Sequence, residues 1–191
     1  MRARFFLVLF AAIATAYARP ALLEHVSLQW RSTSELRLGV VQMSQAHIQF
    51  LAFQDIRSDK ELIGENVEDS KPKPVTTSED VGAFVGTHIR ELFDHAGLKT
   101  VDSDGDVTIK GEITQFYVRE SSTYNSEVGV RVTVADRAGK TLWSGLASGD
   151  AERFGRSYKL ENYYEVLSDA IVNTVSSMLD NAQFQSALSG H

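Results

Sequence analysis

The chain has 191 residues, a formal net charge of −6 at pH 7 and no cysteine. The lack of cysteine excludes disulfides, thiolate metal sites, a cysteine nucleophile and a lipid on an amino-terminal cysteine. An acidic chain without a basic cluster is a poor partner for nucleic acid, where Lys and Arg on phosphates dominate binding. A hydrophobic content of 43% is enough for a packed core.

Residues 1–18 read as a secretory signal peptide. Arg2 and Arg4 form the basic start, residues 5–14 are an unbroken apolar run, and Ala16-Tyr17-Ala18 supplies small residues where a signal peptidase cuts. The run is shorter than the roughly 20 residues that span a bilayer. Cleavage after Ala18 is expected, with the remainder more acidic still. No later segment is apolar enough to be a transmembrane span. Exported eukaryotic domains often carry disulfides, and no Asn-x-Ser/Thr triplet is present here. The expected location is therefore the bacterial periplasm, with secretion beyond it as the variant of the same reading.

Residues 19–191 are expected to form a single α+β domain. Val26, Leu28 and Trp30 alternate with polar neighbours, which suits a short strand, and Leu36, Leu38 and Val40 suit a second. Residues 47–55 hold Ile48, Phe50, Leu51 and Phe53, a short apolar run expected as a buried central strand. Residues 58–76 read as a long mobile loop, with Gly64, Pro72, Pro74 and scattered charges. A helix is predicted over 78–96, capped by Thr77 with Asp80 three residues on, and ended by Gly97-Leu98. Its stripe is Val81, Val85, Ile89, Leu92 and Ala96.

Three strands are predicted next. In residues 107–120 the alternation changes phase at Gln115-Phe116, the mark of a bulge. Residues 127–135 alternate strictly through Val128, Val130, Val132 and Val134. A turn at 136–139 returns the chain as a hairpin over 140–151. A second helix opens at Asn162 with Glu165 in a capping box, runs to Asp180, and has an amphipathic tail through Phe184 and Leu188. The expected fold is an antiparallel-rich sheet with two main helices packed on one face.

Candidate chemistry is sparse. Gly139-Lys140-Thr141 ends like a phosphate loop, but Val134 stands where that loop needs glycine, and a hairpin turn is the better reading. His88, Glu91 and His95 share a helix face, yet two histidines two turns apart, about 10 Å, do not share one ion unaided. Asp102, Asp104 and Asp106 fall short of a calcium loop. Tyr158, Tyr163 and Tyr164 read as core and rim aromatics. No nucleophile elbow, zincin helix or Ser-x-x-Lys set occurs. Alternation places Asp55, Arg57 and Asp59 on one face, expected as an ion-pair cluster at a strand end, with a ligand-facing arginine as the other reading. With the apolar pair Leu62 and Ile63, these are the candidate interaction residues.

Taken in order, the signal sequence, the strand ending in Asp55-x-Arg57-Ser58-Asp59, Leu62-Ile63-Gly64, the helix ending in His95-Ala96-Gly97-Leu98, the meander and the Tyr-rich terminal helix resemble the YajG-like family of small bacterial envelope lipoproteins, over roughly residues 46–185. The resemblance implies a fold and a compartment, and no enzymatic activity. The lipidated cysteine of that family is missing here, which implies a protein without its anchor.

The leading expectation is a non-catalytic envelope protein that binds another envelope protein through a sheet edge or the 58–76 segment. Neither cofactor nor metal is called for, and homo-oligomerisation stays open. The alternatives are a binding module for a small or lipidic ligand held between sheet and helices, and a hydrolase with an acidic site that follows no motif.

Overall fold

The computed structural model describes residues 22–36 and 45–189. These form an eight-stranded mixed sheet with helices packed against it, an α+β architecture. The predicted signal peptide, its cleavage site and the second amino-terminal strand at Leu38 and Val40 lie outside the described residues.

The strand β6 (Val107–Glu120) is the axis of the sheet. Along one edge it pairs antiparallel with β7 (Thr123–Asp136), which pairs in turn with β8 (Thr141–Phe154). Along its other edge it takes three short parallel partners in succession: β1 (His47–Phe50), β2 (Gln54–Asp55) and β3 (Leu62–Asn66). Beyond β1 lies the parallel strand β5 (Lys99–Val101), and beyond β3 the antiparallel strand β4 (Lys73–Thr76).

Alternation explains which face is covered. Val128, Val130, Val132 and Val134 of β7 are all fully buried, as period-2 patterning requires. In β6 the buried series Val107, Ile109 and Ile113 jumps to Phe116 and Val118. The register shift between Ile113 and Gln115 is the bulge that makes this jump. The turn to β8 is closed by Gly139 at φ 82°, with Asp136 Oδ1 accepting from the Lys140 amide at 2.9 Å, so Gly139-Lys140-Thr141 is indeed a hairpin turn.

Three helices follow the sheet's apolar face. The first, α1 (Val81–His95), is capped by Asp80, whose Oδ1 accepts from the Ala83 amide at 2.9 Å. Thr77, expected as the cap, is instead buried and donates its hydroxyl to Val26 O at 2.6 Å. The far end closes as predicted: Gly97 at φ 80° and bonds from Gly97 N to Asp94 O and Leu98 N to Phe93 O form a Schellman motif. The second, α2 (Leu160–Leu179), starts two residues before the expected Asn162-Glu165 capping box. Its cap Lys159 offers no side-chain bond, and Asn162 sits inside the helix, donating to Ser157 Oγ. The terminal tail is a separate helix, α3 (Ala182–Leu188), capped by Asn181.

Two other expectations are corrected. Residues 58–76 are not one mobile loop, because the hairpin β3–β4 lies within them, with Ile63 and Val75 fully buried. Exposure is confined to 58–61 before β3, the connection 68–72 and Pro74. Gly64 lets β3 come close: a Cβ there would stand 2.7 Å from Val118 O and 2.8 Å from the Tyr163 ring. Pro74 disguised β4, but a proline is tolerated on an outer strand. The predicted strand at 26–30 is instead an extended arm without ladder pairing. Among the described residues the arm makes one isolated bridge, Leu23 to Val75, and Val26 N donates to Thr76 O at 2.8 Å.

Candidate functional site

The run at 47–55, expected as one strand, is broken into β1 and β2 by residues 51–53. The break exposes Leu51 (43%) and turns Phe53 inward. Phe53 fits a slot made of glycines. A Cβ at Gly111 would lie 2.3 Å from its ring, one at Gly86 3.1 Å from it, and one at Gly82 2.7 Å from its carbonyl oxygen. Small residues on α1 and β6 thus let the 51–56 crossing lie tight against the helix.

Two open grooves flank this crossing and share Phe53 and Asp80. One, of about 660 Å³, runs between Ile56 and the start of α1; the other, of about 290 Å³, lies beside Leu51 and Arg90. Ile56 is 44% exposed. The larger groove is rimmed by Glu61, Glu79 and Asp80 with Lys60, while Asp55 in its lining is neutralised by Arg57. The site therefore offers two exposed apolar side chains, Ile56 beside an acidic rim and Leu51 beside the balanced pair Asp80 and Arg90.

The residues singled out from sequence divide differently. Arg57 is 7% exposed and uses all five of its N–H donors within the fold. Nε and Nη2 hold Asp55 at 3.0 and 2.8 Å, Nη1 reaches Leu62 O at 2.8 Å and Phe116 O at 3.0 Å, and Nη2 reaches Lys60 O at 2.7 Å. It is a structural clamp on the strand end, with nothing left for a ligand. Asp59 does not join the pair. Its Oδ1 accepts from the amides of Glu61 and Leu62, both at 3.1 Å, because the chain turns after Arg57 rather than continuing as a strand. Ile63 is core and Leu62 half-buried, so the pair is packed against the domain and Ile63 presents no surface to a partner. On this crossing the exposed apolar pair is Leu51 and Ile56; Leu22, Leu146 and Phe154 are exposed elsewhere. Sequence reasoning missed it because a break in a predicted core strand leaves no compositional trace.

Other polar groups are also internally engaged. Glu120 is fully buried and accepts from Tyr163 Oη at 2.8 Å, Tyr158 N at 2.7 Å and Ser157 N at 3.1 Å. Burial alone would raise its pKa, but these bonds and those from Asn66 and Tyr124 outweigh it and hold the carboxyl below its ordinary value. The same burial and the Glu120 bond push the Tyr163 hydroxyl strongly up. Burial, with Glu65 beside it, pushes Tyr117 up to about 12. His88 pairs with Glu91 at 2.8 Å and stacks on Trp30, while the three loop aspartates diverge: Asp102 to Arg90, Asp104 to Ser103 Oγ, and Asp106 to His47 and Arg137. The His47 amide and ring, then Arg137, hold Asp106 below the usual carboxylate range. Among the described residues no group of three or more His, Asp or Glu side chains is placed to hold a metal ion, and no helix is long and apolar enough to cross a membrane.

No protein-family model matches the chain, and no curated protein matches its sequence. Solved structures do resemble it. Protein XCC0632 from Xanthomonas campestris, of family DUF330, superposes with a TM-score of 0.56 at 7% identity, over 80% of this chain and 94% of that one. Weaker likenesses extend to a putative lipoprotein from Caulobacter crescentus (TM-score 0.44, 12% identity, 67% of this chain and 92% of that one) and to the PelC dodecamer from Paraburkholderia phytofirmans (0.42, 12%, 69% and 86%). What the chain shares with XCC0632 is its fold: a mixed sheet backed by helices.

Proposed function

We propose that the chain is a non-catalytic protein of the bacterial envelope, exported to the periplasm, that acts by binding another protein. The sequence-level resemblance to the YajG-like family and the signal-peptide reading support the compartment. The observation that carries the binding role is the exposed pair Leu51 and Ile56, set between two grooves on a crossing that the glycines let pack tightly against α1 and β6. Exposed apolar side chains on a fixed frame suit a protein contact. The acidic rim selects a partner that brings an apolar side chain flanked by basic groups. A ligand held between sheet and helices finds no room where α2 meets β8, since even a Cβ at Gly149 would lie 2.3 Å from Thr174 N.

The test is photo-crosslinking in the exporting cell, with a photoreactive residue at position 51 or 56 and a control at position 131 on the far face of the sheet. A discrete adduct from 51 and 56, absent from 131 and lost in the Glu61→Lys/Glu79→Lys background, supports the reading. Equal patterns from all three positions overturn it.

A further inference from the structure

The arm 22–36 is bound to the domain as a peptide ligand is bound to a receptor. It lies along the cleft between α1 and α2, and beyond Val26 its backbone is held by side chains rather than by a ladder. Tyr164 Oη donates to Ser27 O at 2.5 Å, Glu79 Oε2 accepts from Leu28 N at 2.9 Å, and Ser168 Oγ accepts from Arg31 N at 3.0 Å. Asp169 then takes the whole Ser32-Thr33-Ser34 turn. Its Oδ1 accepts from Ser32 Oγ, Thr33 N and Ser34 N at 2.7–2.8 Å, and its Oδ2 from Thr33 Oγ1 at 2.7 Å. Burial would raise the Asp169 pKa, but these donors outweigh it and hold the carboxyl below its ordinary value.

Specificity comes from alternate side chains. Val26, Leu28 and Trp30 turn toward the core, and Trp30 stacks on the His88 ring with centroids 4.2 Å apart and planes 22° apart. None of these arm residues is fully buried, so the arm adds contact without completing the core. Side chains that read the backbone, with pockets for alternate residues, are how grooves recognise extended peptides.

We infer that the α1–α2 cleft is a recognition groove for this arm, and that it takes the arm of a second copy as well as its own. The chemistry selects that occupant. The Asp169 cradle needs two hydroxyls and two amides on three consecutive residues, placed just after an aromatic that meets His88, and Trp30-Arg31-Ser32-Thr33-Ser34 is the sequence that supplies them. Exchange of an identical element between copies makes no new interface chemistry and therefore carries little thermodynamic cost. The in-cis arm competes through its high effective concentration, so exchange grows with protein concentration.

The absence of cysteine allows the test to be made on the full chain with single labels. One population carries a donor dye on the arm at Gln29→Cys, the other an acceptor on α2 at Glu161→Cys. Unfolded together and refolded at rising concentration, the mixture is expected to show energy transfer between chains. An excess of the synthetic peptide 22–36 should abolish it. Trp30→Ala/Thr33→Ala in the donor chain, which removes no fully buried residue and should leave the far-ultraviolet circular dichroism unchanged, should reduce the transfer at least tenfold. No transfer at any concentration overturns the inference. So does transfer that neither the peptide nor the arm substitutions diminish, since the copies would then meet through another surface.

Discussion

Tyr163 donates its hydroxyl to Glu120 at 2.8 Å with both residues fully buried, which ties α2 to the end of the central strand. A buried carboxylate is tolerated only when its acceptor sites are filled. Tyr163→Phe should therefore cost about 1.5–3 kcal/mol, the range for a hydrogen bond to a charged group. A carboxyl whose pKa is lower in the fold than in the unfolded chain stabilises the fold above its unfolded value, and that contribution is lost as pH falls through the folded value. Glu120 is lowered from 4.5, and Asp106 and Asp169 from 3.8. Stability should thus hold at neutral pH and decline as pH drops below about 4.5. Urea melts of Glu120→Gln should show lower stability at pH 7 and a gap to wild type that narrows on acidification. A constant gap across that range would remove Glu120 from the acid response.

Gly149→Ala should damage the fold more than Gly139→Ala. At Gly149 a Cβ meets the backbone of α2, 2.3 Å from Thr174 N and 2.4 Å from Ala170 O, so the helix must move off the sheet. Overpacking of this kind typically costs 1–3 kcal/mol or more. At Gly139 the space is open and only the positive φ of 82° resists, at roughly 1 kcal/mol. Thermal melts of the two variants give the order directly.

Val130→Asp or Val132→Asp should unfold the domain, since each would bury an unpaired charge against a stability of about 5–15 kcal/mol. Arg131, between them, faces solvent and pairs with Glu112 at 3.2 Å. Arg131→Asp loses one surface pair and should cost no more than about 1 kcal/mol. Denaturant titrations that found the three variants equal would contradict the one-sided burial of β7.

Within 58–76, amide exchange should be slow in β3 and fast at the exposed connection 68–72. A Glu-specific protease should cut first at Glu68. Trypsin is a poor probe here, because Lys71 and Lys73 both precede proline. Uniformly fast exchange across β3 would restore the mobile-loop reading that the buried Ile63 and Val75 argue against.

What sequence could reveal follows from how far each signal reaches. The valine alternation of β7, the bulge in β6, the stripe of α1 and its Gly97 terminus are written in neighbouring residues, and all were read correctly. β3 and β4 were not, because Leu62–Asn66 and Lys73–Thr76 carry Gly, Asn and Pro and become strands only by pairing with β6 and each other. Propensity cannot register a partner more than fifty residues away. Arg57 drew notice as a charge at a strand end, and its pairing with Asp55 was anticipated. That all its donors point inward depended on the carbonyls of Leu62 and Phe116, which no spacing rule locates. Leu51 and Ile56 were invisible as a surface for the same reason.

The tandem arrangement of β1, β2 and β3 along one edge of β6 also sets an order of events. Residues 107–154 can zip into a three-stranded meander through two tight turns, at small loop-closure cost. The amino-terminal strands have no such shortcut: Ile48 must find Val107, and Gly64 must find Val118. Such distant parallel pairings are the slow part of assembly. The carboxy-terminal half is therefore expected to act as the template, with substitutions in the β6–β7 hairpin slowing folding and those around β1 and β3 mainly hastening unfolding.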